Sequence, residues 1–151
     1  MMKSVLHILA IAWPYIAAVA VLAGVVLGIL YLRRRPKPMN VEQFQNDWKE
    51  MQKLCRDKTK WPEAVVEADK LLDVALQKRK FRGDTMGKRM LKAQRLFSDS
   101  DAVWSAHKLR SKIDADPTTK LKEAEVKQAL VGTRQALKDL GALPNGQQTN
   151  S

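Results

Sequence analysis

Cysteine and histidine are scarce in this chain. Cys55 is the only cysteine among 151 residues, and there are two histidines. A single cysteine excludes an internal disulfide and a zinc site built from several cysteines. The sequence also contains no glycine-rich phosphate loop, no paired-histidine zinc motif and no serine nucleophile elbow. We therefore expect neither a bound metal ion nor a cofactor.

Charged side chains are missing from one long N-terminal stretch. Residues Val5 to Leu32 contain no Asp, Glu, Lys or Arg, and three arginines follow directly. An α-helix needs about 20 apolar residues to span a bilayer. A cleaved signal peptide is the alternative, but its apolar region is only about 7–15 residues long. Since the apolar run continues well beyond that length, the sequence predicts a retained transmembrane anchor over residues 1–32.

The charges beside the anchor predict its orientation. The flank after it carries Arg33, Arg34, Arg35 and Lys37, whereas Lys3 is the only charged side chain before it. Flanks rich in Lys and Arg stay in the cytoplasm. We expect a single-pass protein of the plasma (inner) membrane with its N-terminus outside and its C-terminal domain in the cytoplasm. The flanking cations would bind anionic headgroups of the inner leaflet, each contributing about 1 kcal/mol.

Small residues recur along one face of the predicted anchor. Ala20, Gly24 and Gly28 lie four residues apart, so they share a face of the helix. Small residues at this spacing let two spanning helices approach closely, and we regard them as candidate dimer contacts. The alternative is that glycine and alanine are simply common in spanning helices.

Prolines predict two interruptions near the anchor. Pro14 predicts a break in the helix near its outer end, because proline removes a backbone donor. Pro36 and Pro38 follow the arginines. Residues 33–40 therefore read as a short, stiff and basic linker.

The remainder of the chain is basic and long enough for one small domain. The whole chain has a formal charge of +11, and its first 37 residues hold five of the 27 basic residues and no acidic ones. Residues 38–151 therefore carry a charge of +6. Such an excess suits an anionic partner, which could be lipid headgroups, nucleic acid or a nucleotide.

Helical periodicity dominates residues 41–143. Apolar residues recur at spacings of three and four, and no stretch alternates as a strand would. The predicted helices cover about residues 41–58, 62–82, 85–97, 101–113 and 120–140. Short loops between amphipathic helices are typical of an antiparallel bundle. We therefore expect an all-α fold, with a cytosolic bundle of about five helices over 41–143 and a disordered tail over 144–151.

A distinctive run lies on the fourth of these helices. Residues 104–113 read Trp-Ser-Ala-His-Lys-Leu-Arg-Ser-Lys-Ile. This run resembles the motif-bearing helix of HEPN domains (higher eukaryotes and prokaryotes nucleotide-binding). In that family an Arg, usually followed by a polar residue such as Asn, precedes a His by about four to six positions. The resemblance extends from about Trp61 to Leu143 and includes the segment Ala68–Leu72 and the turn Phe81–Gly87.

The resemblance implies a helical bundle that is commonly dimeric. Family members with an intact Arg–His pair are often metal-independent ribonucleases, and the pair lies near the dimer interface. Arg110 matches the motif arginine, but Ser111 stands where Asn is usual and no histidine follows Arg110. His107 instead lies three residues before it. The motif is therefore degenerate, and we expect a binding or self-association module without catalytic activity.

The same helix supplies the candidate dimer interface of the bundle. At about 100° per residue, Trp104, His107 and Ser111 lie nearly opposite its apolar stripe, with Arg110 at the border. A tryptophan on the back of a core-facing helix predicts that both sides of the helix are covered. The second cover is either another helix of the bundle or a second copy of the chain.

Two residues of this helix are weak catalytic candidates. Arg110 and His107 could serve a membrane-tethered ribonuclease, which is the first alternative function. A structural interpretation places His107 against Trp104 or a neighbouring helix. Arg110 either forms an ion pair, with Asp69 or Asp73 as candidates, or binds an anion. The second alternative function is a nucleotide or polyanion sensor at the membrane.

A cluster of cations extends from the end of the second predicted helix through most of the third. Residues 78–95 hold eight basic residues against one acidic residue. The candidate anion-binding residues among them are Lys78, Arg79, Lys80, Arg82, Lys88 and Arg89. The cluster is interpreted as a solvated face, as a contact with the anionic inner leaflet or as a set of phosphate contacts with nucleic acid.

Overall fold

The computed structural model describes residues 2–34 and 38–145, with side chains over 13–32 and 38–145. The chain divides into two compact units, Met1–Arg35 and Pro36–Ser151. Six α-helices and two short 3₁₀ helices form the regular structure, and the described residues contain no strand. The prediction of an all-α fold is thereby confirmed. The predicted linker residues 35–37 and the predicted tail from residue 146 lie outside the described residues.

The N-terminal unit consists of one long helix, α1. This helix covers Met2–Arg34 and includes Pro14 in its interior. The predicted break at Pro14 is therefore wrong: proline removes one hydrogen bond of the ladder, and the helix continues through the remaining ones. Residues Trp13–Leu32 have a mean hydropathy of 2.5, so α1 is long and apolar enough to cross a membrane. Every described side chain of that stretch is exposed.

The C-terminal unit contains the five helices predicted from periodicity. They are α2 (Val41–Leu54), α3 (Trp61–Lys78), α4 (Met86–Ala93), α5 (Ser100–Ala115) and α6 (Glu123–Asp139). The 3₁₀ helices Lys58–Lys60 and Gln94–Leu96 precede α3 and follow α4. Helix α2 ends four residues early because the Asp57 carboxylate accepts hydrogen bonds from the N–H and hydroxyl of Thr59. These bonds begin the 3₁₀ turn that leads into α3.

Side-chain caps explain where several helices begin. The backbone N–H of Gln43 donates to Asn40 Oδ1 at the start of α2, over 3.1 Å. Thr85 is the cap of α4, and its hydroxyl accepts from the N–H of Lys88. Asp99 caps α5 in the same way. These short polar side chains satisfy backbone donors that a helix leaves unpaired in its first turn.

Left-handed residues end α3 and α6. Gly141 has a φ of 72° after α6, and Lys80 occupies the same position after α3 with a φ of 64°. The N–H of Phe81 donates to Leu76 O over 3.1 Å, and the N–H of Ala142 donates to Leu137 O over 2.8 Å. Both ends therefore close with the same hydrogen-bonding pattern, but only one of them uses glycine.

The core of the C-terminal unit draws side chains from all five of its helices. Its largest fully buried members are Phe44, Leu72, Leu76, Met90, Val103, Leu137 and Leu140. Ala142 and Leu143, which follow the Gly141 turn, are also buried in this core. A smaller cluster joins Val65, Ile113 and Val126 of α3, α5 and α6. Helices α5 and α6 approach closely at Gly132, where an added Cβ would lie 2.9 Å from the Cβ of Ala102.

Candidate functional site

A buried aspartate of α3 meets the distinctive face of α5. Asp69 is only 5% exposed, because it lies on the buried face of α3 with Ala68 and Leu72. Its carboxylate oxygens lie 3.2 and 3.3 Å from His107 Nδ1. A buried carboxylate requires such a partner, since an unpaired charge is costly to remove from water. The pair fixes the orientation of the imidazole.

Arg110 completes this cluster of charges. One of its terminal nitrogens lies 2.8 Å from Asp114 Oδ2, one helical turn along α5. Its Nε lies 3.7 Å from Asp69 Oδ2, which is too long for a hydrogen bond, and this Nε is buried without a hydrogen-bond partner. The candidate ion pair between Arg110 and Asp69 is thus present at long range, whereas Asp73 pairs elsewhere. The guanidinium therefore bonds to one carboxylate of its own chain and lies near a second.

Helix α4 covers the other side of the same face. The rings of Trp104 and His107 are 6.3 Å apart and nearly perpendicular, at 73°. A Cβ added to Gly87, in the first turn of α4, would lie 3.9 Å from both His107 Nε2 and the Trp104 ring. The second cover of α5 is therefore supplied by α3 and α4 of the same chain. Pairing of two copies through these residues stays a prediction.

The remaining interface candidates are more exposed. Ser111 lies at the surface, where its hydroxyl donates to the carbonyl oxygen of His107 over 3.0 Å. On α1, a Cβ added to Gly24 or Gly28 would meet no atom within 4 Å. Both glycines and Ala20 therefore lie open on the helix surface, and pairing through them also stays a prediction.

The cations of residues 78–95 fall into two groups. Four of them contact their own chain, and Arg89 does so most fully: it forms a two-pronged ion pair with Asp73, at 2.7 and 2.8 Å, and also donates to Gly83 O. Arg79 Nε donates to Leu140 O over 2.6 Å. Lys88 pairs with Asp84, and Lys78 Nζ lies 5.0 Å from the Phe44 ring. Arg79 and Arg89 therefore hold the fold together.

The second group faces solvent. Lys80, Arg82, Lys92 and Arg95 are exposed and, within the described residues, have no ion-pair partner. Two leucines beside them, Leu91 and Leu96, are also exposed. Sequence reasoning missed these leucines. Their exposure could have been predicted, because neither leucine belongs to the apolar stripe that faces the core. That stripe consists of Met86, Met90, Ala93 and Phe97.

The arrangement around His107 has some parts of a catalytic site and lacks others. A histidine oriented by a buried carboxylate is a typical general base. Its natural companion for phosphate chemistry is a cation that is available to an anion, whereas the Arg110 guanidinium bonds to Asp114 and lies near Asp69. In the part of the chain that the structure describes, no three His, Cys, Asp or Glu residues are grouped to hold a metal ion.

No known protein family, curated protein or solved structure matches this chain. Its function is therefore inferred from the residues and their geometry alone.

Proposed function

We propose that this chain is a single-pass protein of the plasma (inner) membrane that holds a helical binding module at the cytoplasmic face. In this proposal α1 spans the bilayer, and the C-terminal unit is an antiparallel, HEPN-like bundle that binds partners or a second copy without catalysis. One observation carries the anchor: Trp13–Leu32 form a helix of 20 residues with a mean hydropathy of 2.5 and no buried residue. The exposed fractions of its large apolar side chains run from 46% to 74%.

Exposure of this kind argues for a lipid environment. A soluble protein buries a long apolar helix in its core, because each buried side chain contributes about 1.5–3 kcal/mol. The described apolar side chains of Trp13–Leu32 are exposed, and water is a poor surrounding for them. Lipid tails would provide the apolar contact, and the helix satisfies its own backbone groups internally.

The orientation in the proposal depends on charge. Arg33, Arg34, Arg35 and Lys37 follow the apolar stretch, and only Lys3 precedes it. The positive-inside rule favours retention of the more basic flank in the cytoplasm. Cys55 supports the same compartment, since a lone cysteine is compatible with a reducing environment.

The non-catalytic part of the proposal depends on Arg110. Its guanidinium lies between Asp114, at 2.8 Å, and the buried Asp69, at 3.7 Å. The hydrogen bond to Asp114 would compete with a phosphate for the guanidinium, and the two nearby carboxylates would repel the phosphate charge. The cluster is therefore better suited to holding α3 and α5 together than to stabilising a transition state.

A pair of reporter fusions tests the anchor and its direction. Alkaline phosphatase, which is active only outside the cytoplasm, and green fluorescent protein, which fluoresces inside, are each joined after Ser151 in a bacterial host. We expect fluorescence and no phosphatase activity. As the matched control, Arg33, Arg34 and Arg35 are changed to Gln and three Lys residues are added near Lys3, which should reverse both signals. Phosphatase activity in the unaltered chain would contradict the orientation.

A membrane-tethered ribonuclease is the second candidate function. One observation favours it: the Asp69 carboxylate lies 3.2 Å from His107 Nδ1 and orients the imidazole. Arg110 lies on the same helix as His107. Cleavage of single-stranded RNA by the purified full chain tests it. Activity lost in both His107→Asn and Arg110→Gln, but kept in the surface control Lys108→Gln, would establish the enzyme and contradict the inactive module.

A further inference from the structure

Helix α4 presents an unusual combination of side chains to solvent. Leu91 is 62% exposed, and Leu96, at the end of the following 3₁₀ turn, is 51% exposed. Lys88, Lys92 and Arg95 are exposed beside them. We call these five residues the α4 face. Exposed leucines cost free energy in water, and here two of them are grouped with cations.

The geometry of the helix places these side chains together. Lys88, Leu91 and Lys92 are three and four positions apart on α4, so they share one side of that helix, and Arg95 and Leu96 follow in the 3₁₀ turn. The opposite side is fixed to the protein core, since Met90 and Ala93 are fully buried. The ion pair between Arg89 and Asp73 ties the flank of α4 to α3. The α4 face is therefore held outward on a rigid support.

The charge of the α4 face and its surroundings is mainly positive. Lys92 and Arg95 have no carboxylate partner within the described residues, and the same holds for Lys80 and Arg82 in the preceding loop. Lys88 alone is paired, with the exposed Asp84. A partner for this surface must supply negative charge and accept aliphatic side chains at the same time.

We infer that the α4 face docks on the anionic lipid surface of the membrane that holds α1. Leucines enter the boundary between headgroups and acyl chains, while lysine and arginine bind the headgroups, as in interfacial amphipathic helices. Nucleic acid fits less well, because binding of unpaired bases uses aromatic platforms, and the α4 face has none. This inference rests on the proposed function, which supplies the membrane.

The length of chain between the two units makes this docking favourable. Helix α1 ends at Arg34 and α2 begins at Val41. Six intervening residues reach at most about 25 Å when fully extended. The C-terminal unit therefore remains near the bilayer, and a weak surface contact becomes intramolecular, which raises its effective concentration.

A fluorescent label on the α4 face tests the inference in the full chain. Cys55→Ala removes the only cysteine, and Leu91→Cys introduces a site for a polarity-sensitive dye such as NBD. The matched control is Val131→Cys on α6, because Val131 is 61% exposed and Leu91 is 62% exposed. The labelled chains are reconstituted in vesicles of phosphatidylcholine alone or with added phosphatidylserine. Both leaflets have the same composition, so the orientation of insertion does not affect the result.

We expect the dye at position 91 to shift to shorter emission wavelengths and to brighten in anionic vesicles only. The dye at position 131 should give the same spectrum in both lipids. Each of Lys92→Gln and Arg95→Gln should reduce the ratio of docked to undocked protein about fivefold, which corresponds to ~1 kcal/mol for each cation. The control pair Lys127→Gln and Arg134→Gln, beside Val131, should leave that ratio unchanged.

Three results would overturn the inference. The dye at position 91 could fail to respond to anionic lipid, or the dye at position 131 could respond equally. RNA added to neutral vesicles could shift the dye at position 91, which would assign the α4 face to nucleic acid. Alkaline extraction of the neutral vesicles distinguishes failure of the anchor from failure of docking. A chain that resists extraction is anchored by α1, whether or not the α4 face docks.

Discussion

Arg79 Nε donates a hydrogen bond of 2.6 Å to the carbonyl oxygen of Leu140, and this bond joins the C-terminal ends of α3 and α6. Both ends are negative poles of helix dipoles, so a guanidinium between them is favourable. A residue that sequence reasoning placed in an anion-binding cluster therefore has a structural role. The same guanidinium lies close to Gly141, where an added Cβ would come within 2.6 Å of one of its nitrogens.

Removal of Arg79 should destabilise the C-terminal unit. We expect Arg79→Gln to lower the free energy of unfolding by about 1–2 kcal/mol, because a hydrogen bond from a charged donor is lost. Urea unfolding of the 38–151 fragment, followed by circular dichroism, measures the change. Arg82→Gln is the matched control, since Arg82 is exposed and unpaired in the described structure, and it should change stability by less than about 0.5 kcal/mol. Equal effects of the two substitutions would contradict the role of Arg79.

Lys80 offers a way to stabilise the fold. Its left-handed backbone, with a φ of 64°, is unfavourable for any residue with a Cβ. We expect Lys80→Gly to raise the free energy of unfolding by about 1 kcal/mol. The comparison is Gly141→Ala, which introduces the same strain after α6 and also crowds Arg79, and should lower stability by more than about 1 kcal/mol. A Lys80→Gly variant that unfolds at lower urea than the parent would contradict this prediction.

Asp69 should matter more to stability than the exposed carboxylate of the same cluster. Asp69→Asn removes the buried negative charge that faces His107 and Arg110, and we expect a loss of about 1–3 kcal/mol. Asp114→Asn removes only a partly exposed pair along α5, for which about 0.3–0.5 kcal/mol is typical. Urea unfolding of both variants, alone and combined, measures the difference. Equal losses would mean that the cluster does not depend on its buried member.

The thiol of Cys55 should react slowly. Burial raises the pKa of this thiol above its ordinary value, so less of it is thiolate at a given pH, and the thiolate is the nucleophile. We expect iodoacetamide to modify Cys55 more slowly near pH 8 than it modifies an exposed cysteine, Val131→Cys in a Cys55→Ala chain. The rate at Cys55 should keep rising at higher pH after the exposed thiol has levelled off. Equal rates and equal pH profiles would contradict the burial of Cys55.

Local chemistry explains how much of the fold could be predicted. The apolar periodicity of α3 and α6 is encoded within each segment, and both helices were predicted from the sequence. A helix ends earlier than predicted where the residues of an adjacent turn form their own hydrogen bonds, as those of Asp57 do after α2. Pro14 misled because a single lost hydrogen bond is small beside the many that a long apolar helix retains.

Contacts between distant residues explain what the sequence did not predict. Arg89 lies 16 positions from Asp73, and Arg79 lies 61 positions from Leu140. No periodicity indicates which cation of a basic cluster will meet which acceptor. The burial of Leu143 likewise depends on the turn at Gly141, which returns the chain to the core. The cations of the α4 face belong to the predicted basic cluster, whereas its two leucines were missed although their positions off the core-facing stripe indicated exposure.

The anchoring of α1 and the cytoplasmic position of the C-terminal unit can be tested together in intact cells. The Cys55→Ala/Val131→Cys chain is expressed in bacteria. Intact cells and permeabilised cells are treated with a maleimide that cannot cross the inner membrane. Their membranes are then washed at alkaline pH and probed for the labelled chain. We predict that the chain stays in the washed membrane and is labelled only after the inner membrane is permeabilised. Labelling in cells with an intact inner membrane, or release of the chain by the alkaline wash, would contradict the proposed anchor and its orientation.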